Sequence, residues 1–134
     1  MEKLNLPEEI VVFGVQVKTF PVGIGEKFDV LANKLPHGRE RGYYGISWME
    51  GDKVIYYAMA AERFPGEAAQ YDYQIMSIEK GSYCIVKVKD WQSKTATIKD
   101  VFHEMMNDAE TDNAKPCIEW YKAYDEMLCM IKTI

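Results

Sequence analysis

One stretch near the end of the chain holds residue types from which a site can be built: Pro116-Cys117-Ile118-Glu119-Trp120-Tyr121. Its aromatic and β-branched content reads as a strand with a single carboxylate in the middle. Facing water, Glu119 is an ordinary strand residue. Facing inward, it is a costly buried charge of the kind that marks functional sites. The local pattern leaves both orientations open. Strand alternation ties Cys117 and Tyr121 to the face that Glu119 takes, and Ile118 and Trp120 to the other. A carboxylate among π faces suits a flat, apolar cation: the acid pairs the charge, and each ring adds about 0.5–2 kcal/mol of cation–π attraction. Nine Tyr and three Trp supply such faces. The same groups admit catalysis, with Glu119 as general base on a water and a Tyr hydroxyl as acid or donor. Burial raises the pKa of an unliganded Glu in either role.

The elements that must position these residues come in two similar series. Glu8 to Phe20 reads as a strand, with Gly14 as a bulge candidate, and Pro21 ends it. Ile24, Phe28, Leu31 and Leu35 then mark one face of a helix that Pro36-His37-Gly38 stops. Tyr43 to Met49 and Lys53 to Glu62 form a hairpin about the turn Glu50-Gly51-Asp52. After the break at Phe64-Pro65-Gly66-Glu67 the order recurs: a looser strand or edge segment from Gln70 to Glu79, and a clear strand from Ser82 to Lys89. A helix capped by Thr95 or Thr97 runs to about Asp108, with Ile98, Val101, Phe102 and Met105 inward. Cys117 to Tyr121 and Glu126 to Thr133 close the chain as a second hairpin.

Both halves thus read strand, helix, strand, strand. The expected fold is α+β: two βαββ units, roughly residues 8–62 and 70–134, forming one curved antiparallel sheet with two main helices and a central cleft. Residues 1–134 are expected to make a single domain. Gly45 and Glu119, 74 positions apart, occupy corresponding places in the two hairpins. Gly45 opposite Glu119 leaves room for an aromatic ring. Tyr43, Gly45 and Ser47 share one face of their strand, and Tyr83 is a further candidate wall.

On several of these residues the chain resembles the GyrI-like effector-binding domains, also called bacterial transcription activator effector-binding domains, of the SOUL-like small-molecule-binding superfamily. The resemblance rests on Tyr44-Gly45, on Tyr57 in the hairpin partner, on Ile78-Glu79-Lys80-Gly81-Ser82-Tyr83, and on Pro116 to Tyr121. Their order and spacing cover nearly the whole chain. It implies two βαββ units about a cleft whose key acid maps onto Glu119, on the floor and ringed by aromatic residues. The expected ligand site is Glu119, Tyr121, Tyr43, Gly45, Tyr83 and Tyr57, holding an aromatic, cationic or amphiphilic small molecule. It also implies a cytoplasmic bacterial effector- or drug-sensing protein with no cofactor. Two alternatives follow from other branches of the family: a hydrolase of cyclopropane-type electrophilic toxins with Glu119 as base, and a protein-interaction module such as a gyrase inhibitor. The 134 residues leave no room beside this unit for a helix-turn-helix domain, so direct DNA binding is not expected.

Composition excludes much else. With 48% hydrophobic and 28% charged residues, the chain is of ordinary globular make-up. A net charge of −5 opposes nonspecific nucleic-acid binding. No secretory h-region opens the chain, and no apolar run reaches the roughly 18 residues a membrane span needs. Cys84, Cys117 and Cys129 lack CxxC spacing and read as small hydrophobes of a reduced protein. His37 and His103 have no ligand-spaced partners, so no metal site is expected. Gly23 and Gly25 open no phosphate loop, and Ser47 and Ser82 lack a nucleophile elbow. Trp48, Trp91 and Trp120 are expected to be packing residues.

Overall fold

The turn after Glu50 sets the register from which the rest of the sheet follows. Gly51 takes a left-handed φ of 61°, which a glycine adopts without steric cost. Glu50 therefore pairs with Lys53, and the ladder carries Ser47 opposite Tyr56 and Gly45 opposite Ala58. The structure, a computed structural model, describes residues 1–134. In chain order the elements are β1 (Glu2–Leu6), β2 (Ile10–Gln16), α1 (Ile24–Lys34), β3 (Tyr43–Glu50), β4 (Lys53–Ala61), β5 (Gln74–Ile78), β6 (Gly81–Lys89), α2 (Ile98–Met106), β7 (Cys117–Ala123) and β8 (Glu126–Lys132).

All eight strands join one antiparallel sheet in the order β1-β6-β8-β7-β3-β4-β2-β5. The order is a palindrome when β1 is matched to β5, β2 to β6, β3 to β7 and β4 to β8. Each half is thus ββαββ, and the first is one strand longer than expected. The added strand is β1, whose residues Lys3 and Asn5 alternate with Leu4 and Leu6. This polar-out edge pattern is weak over five residues. Each half's first strand crosses to the other half: β1 pairs with β6, and β5 pairs with β2. The two halves meet where β3 pairs with β7, and Gly45 is the register partner of Glu119.

The sheet curls, and its two faces bury different cores. Val12, Tyr44, Ile46, Met59, Ile118 and Leu128 belong to the cluster on the concave face. Leu4 from one edge strand and Met76 from the other pack against this same cluster, which shows the curl directly. The convex face carries the helices. Leu31 and the capping residue Leu35 of α1 pack on Phe13, Ala58 and Ala60, while Phe102 and Met105 of α2 pack on Cys84, Met127 and Cys129. Each fully buried large apolar side chain contributes about 1.5–3 kcal/mol, so the two convex-face clusters hold the helices to the sheet and the concave-face cluster holds its curl.

Several boundaries differ from the sequence expectation. The first long strand ends at Gln16, before a turn through Phe20. Gly14 forms no bulge: its backbone lies against Ala58, where a Cβ would overlap the carbonyl. The second helix starts at Ile98 after a 3-10 turn over Thr95–Thr97. Thr97 holds the cap position, but its hydroxyl donates backward to the Lys94 carbonyl at 2.7 Å and caps nothing.

Candidate ligand-binding site

Glu119 lies on the convex face, at the seam between the cluster beneath α1 and the cluster beneath α2. It is half-buried. A tyrosine from each half reaches it. Tyr56 of β4 donates its hydroxyl proton to Oε1 at 2.8 Å, and Tyr121 of β7 donates to the same oxygen at 2.5 Å. The two phenol oxygens stand 3.1 Å apart. The geometry follows from register and from alternation. Tyr56 faces Ser47, two positions along the strand from Gly45, so it shares the face of Glu119. Tyr121 follows Glu119 by two positions and so takes its face, at the start of the stretch where the pairing of β7 with β8 shifts register between Trp120 and Ala123.

Around this trio stands a second ring of aromatic side chains. Phe20, from the turn before α1, stacks on Tyr56 with centroids 5.0 Å apart. Phe28 of α1 meets Tyr121 edge-on at 5.1 Å, and Trp91, before α2, meets it edge-on at 5.0 Å. Trp91 is set in place by Asp90, which ends β6 with a left-handed φ of 52°. Tyr43 packs edge-on against Phe28 at 5.9 Å, and its hydroxyl donates to the Gly38 carbonyl.

The electrostatics are those of a carboxylate short of a counter-charge. No Lys, Arg or His nitrogen lies within 4 Å of Glu119. Burial pushes its pKa above the ordinary value, and the hydrogen bonds from Tyr121 and Tyr56 pull it part of the way back. Both phenols are pushed well above their ordinary value, by burial first and by the nearby carboxylate second. They therefore stay protonated and remain donors. The thiols nearby are inert for the same reasons: burial, then Glu119, pushes Cys117 to about 11 and Cys129 to about 12. Glu119 Oε2 accepts no hydrogen bond and keeps contact with solvent, so one oxygen of the carboxylate remains free.

Of the residues expected at the site, Glu119, Tyr121 and Gly45 come together, and Tyr43 stands in the outer ring behind Phe28. Tyr57 and Tyr83 do not. Tyr57 stacks on Trp48 at 5.7 Å, and Tyr83 donates to the Glu79 carbonyl at 2.6 Å, both on the concave face. The expectation that they wall the same cleft is corrected by parity: Tyr57 pairs with Ile46, on the face opposite Gly45, and Tyr83 faces away from the helices while its neighbour Cys84 faces them. Tyr56, Phe20, Phe28 and Trp91 were not anticipated there. The hairpin register was sufficient to find Tyr56, because the turn at Gly51-Asp52 puts it on the face of Gly45. No comparable signal existed for Phe20 or Trp91, which lie in turns. No group of three or more His, Cys, Asp or Glu side chains is arranged to hold a metal ion.

No protein-family model matches the sequence, and neither does any curated protein. Solved structures do match the fold. An integron cassette protein from the mobile metagenome of Vibrio cholerae, VCH_CASS2, superposes with a TM-score of 0.68 at 13% identity, over 99% of this chain and 95% of that one. SAV2435, in a structure bound to tetraphenylphosphonium, gives 0.63 at 14% identity, over 100% and 94%. A candidate bacterial transcription regulation protein from Staphylococcus aureus MU50 gives 0.58 at 15%, over 98% and 95%. The chain shares the fold of these proteins, an α+β architecture with one curled eight-stranded antiparallel sheet and two helices, as expected from the sequence.

Proposed function

We propose that this protein binds a lipophilic aromatic cation against Glu119, between α1 and α2. The observation that carries this reading is the carboxylate itself: half-buried, without a cationic partner, with one oxygen held by two phenols and the other free. A cation entering there gains the counter-charge, and its rings meet Phe20, Phe28 and Trp91, which already touch the two tyrosines. Each favourable cation–π contact adds about 0.5–2 kcal/mol. The likeness in fold to SAV2435, whose structure holds tetraphenylphosphonium, supports the same class of ligand. An acid–base hydrolase needs a phenol free to protonate a leaving group, whereas both hydroxyls here donate to Oε1.

Calorimetric titration with tetraphenylphosphonium tests the assignment. The wild type is expected to bind one equivalent, and Glu119→Gln to bind more weakly by tenfold or so, the loss of one charge-pair contribution of about 1.4 kcal/mol. Equal affinity in the two proteins would remove Glu119 from the site.

A further inference from the structure

We propose a second ligand site on the opposite face of the sheet, for a small amphipathic anion with an aromatic body. The concave face encloses a cavity of about 320 Å³, at the lower end of the roughly 300–1,000 Å³ of small-molecule pockets. Its floor is apolar, built by Ile46, Ile78 and Ile118, with Trp48 and Met76 as walls. Five of the eight strands contribute, so the space is a product of the curl and not of one loop.

The rim supplies the sign of the charge. Lys115 and Lys132 both border the cavity, and Glu79 is the one carboxylate that does. Lys115 pairs with Glu79 at 2.8 Å. Lys132 has no carboxylate within 4 Å, and Asp112, the next acid around Lys115, lies beyond that distance from both lysines. Gly81 leaves room for Lys132, whose Cε and Nζ lie 2.9 and 3.2 Å from the position a Cβ would take there. Two ammonium groups thus share a single carboxylate at the rim, with Lys132 acting on Glu79 only from beyond contact distance, and this excess of positive charge over an apolar cavity favours an anionic head with a hydrophobic body.

The cavity is separate from Glu119. Alternation puts Ile46 and Ile118 here and Gly45 and Glu119 on the helix side, so a single thickness of sheet at the β3–β7 pair divides the two. The proposal therefore stands whether or not a cation binds at Glu119.

The test is fluorescence titration of the full chain with 8-anilinonaphthalene-1-sulfonate, and with N-phenyl-1-naphthylamine as the uncharged counterpart. The sulfonate is expected to saturate one site and to bind more tightly than the amine. Lys115→Gln combined with Lys132→Gln should weaken the sulfonate about tenfold, with little effect on the amine. Met76→Trp, which fills the cavity from the edge strand, should weaken both dyes, and Glu119→Gln neither. Both lysines reach solvent, and thermal melts of each variant confirm folding. Sulfonate affinity unchanged by the lysine substitutions would overturn the proposal. So would affinity lost in Glu119→Gln but kept in Met76→Trp, since the dye would then occupy the helix side.

Discussion

Gly45 faces Glu119 across the seam between the two halves, and a methyl group in its place would lie 2.8 Å from Glu119 Oε1 and overlap the Tyr56 hydroxyl. The absence of a side chain at Gly45 is therefore what lets a tyrosine from the first half reach a carboxylate in the second. Tyr56 is fully buried and stacked by Phe20, so it has little room to retreat.

Gly45→Ala should accordingly strike stability and binding together. Overpacking at a tight site costs about 1–3 kcal/mol. The expected result is a lower melting temperature and a loss of tetraphenylphosphonium affinity of tenfold or more. A variant with unchanged melting and binding would mean that Tyr56 does not need that space.

Glu119→Gln should raise stability near neutral pH. The folded-state pKa of Glu119 lies above its ordinary value of 4.5, chiefly through burial. Such a group favours folding while protonated, and that contribution is lost as pH rises through the folded pKa. Glutamine removes the penalty. The melting temperature of the variant should exceed that of the wild type at pH 7, and the difference should close as pH falls toward 4.5. A gap of constant size across that range would contradict the raised pKa.

Cation binding should depend on pH in the matching sense. The ionised carboxylate pairs with the ligand, so affinity for tetraphenylphosphonium rises with pH through the elevated pKa of Glu119 and levels off above it. Binding below the plateau releases protons, which titrations in buffers of different ionisation enthalpy measure. Glu119→Gln should show a flat profile over the same range.

Glu67 carries the opposite sign. It is held in a buried two-pronged pair with Arg41, at 3.0 and 2.8 Å, and the same guanidinium reaches the Pro36 carbonyl behind α1 and the Ala61 carbonyl at the end of β4. Hydrogen bonding from Arg41 lowers the Glu67 pKa, so its contribution is present above the ordinary 4.5 and fades as pH falls through the folded value. Glu67→Gln leaves Arg41 buried without its counter-charge and should cost about 3–5 kcal/mol. Urea melts at neutral pH check this. Because α1 carries Phe28 against Tyr121, cation affinity should fall as well.

How much was legible in advance can be judged residue by residue. The helical faces of Phe28 and Leu31 and of Phe102 and Met105, the hairpin at Gly51, and the pairing of Gly45 with Glu119 were all readable, because period and turn chemistry are local properties. Tyr121 was placed beside Glu119 by alternation alone. Strand β1 was missed, since five residues with two leucines are too short to carry a pattern. Tyr57 lies on the face away from Glu119 and Tyr56 on the same face, since a difference of one position is, by alternation, the opposite face of the sheet.

The chain's own residues thus determined its elements, the duplicated order and the one carboxylate worth following. The tertiary structure alone decided which aromatic side chains surround that carboxylate. Phe20 and Trp91 arrive from turns, and Tyr56 and Tyr121 from different halves, so their meeting depends on how the sheet curls and where the helices lie. Local pattern reports which face a residue takes. It does not report which distant residue takes the adjoining place, because that is set by contacts far apart in the chain, 63 positions in the case of Tyr56 and Glu119.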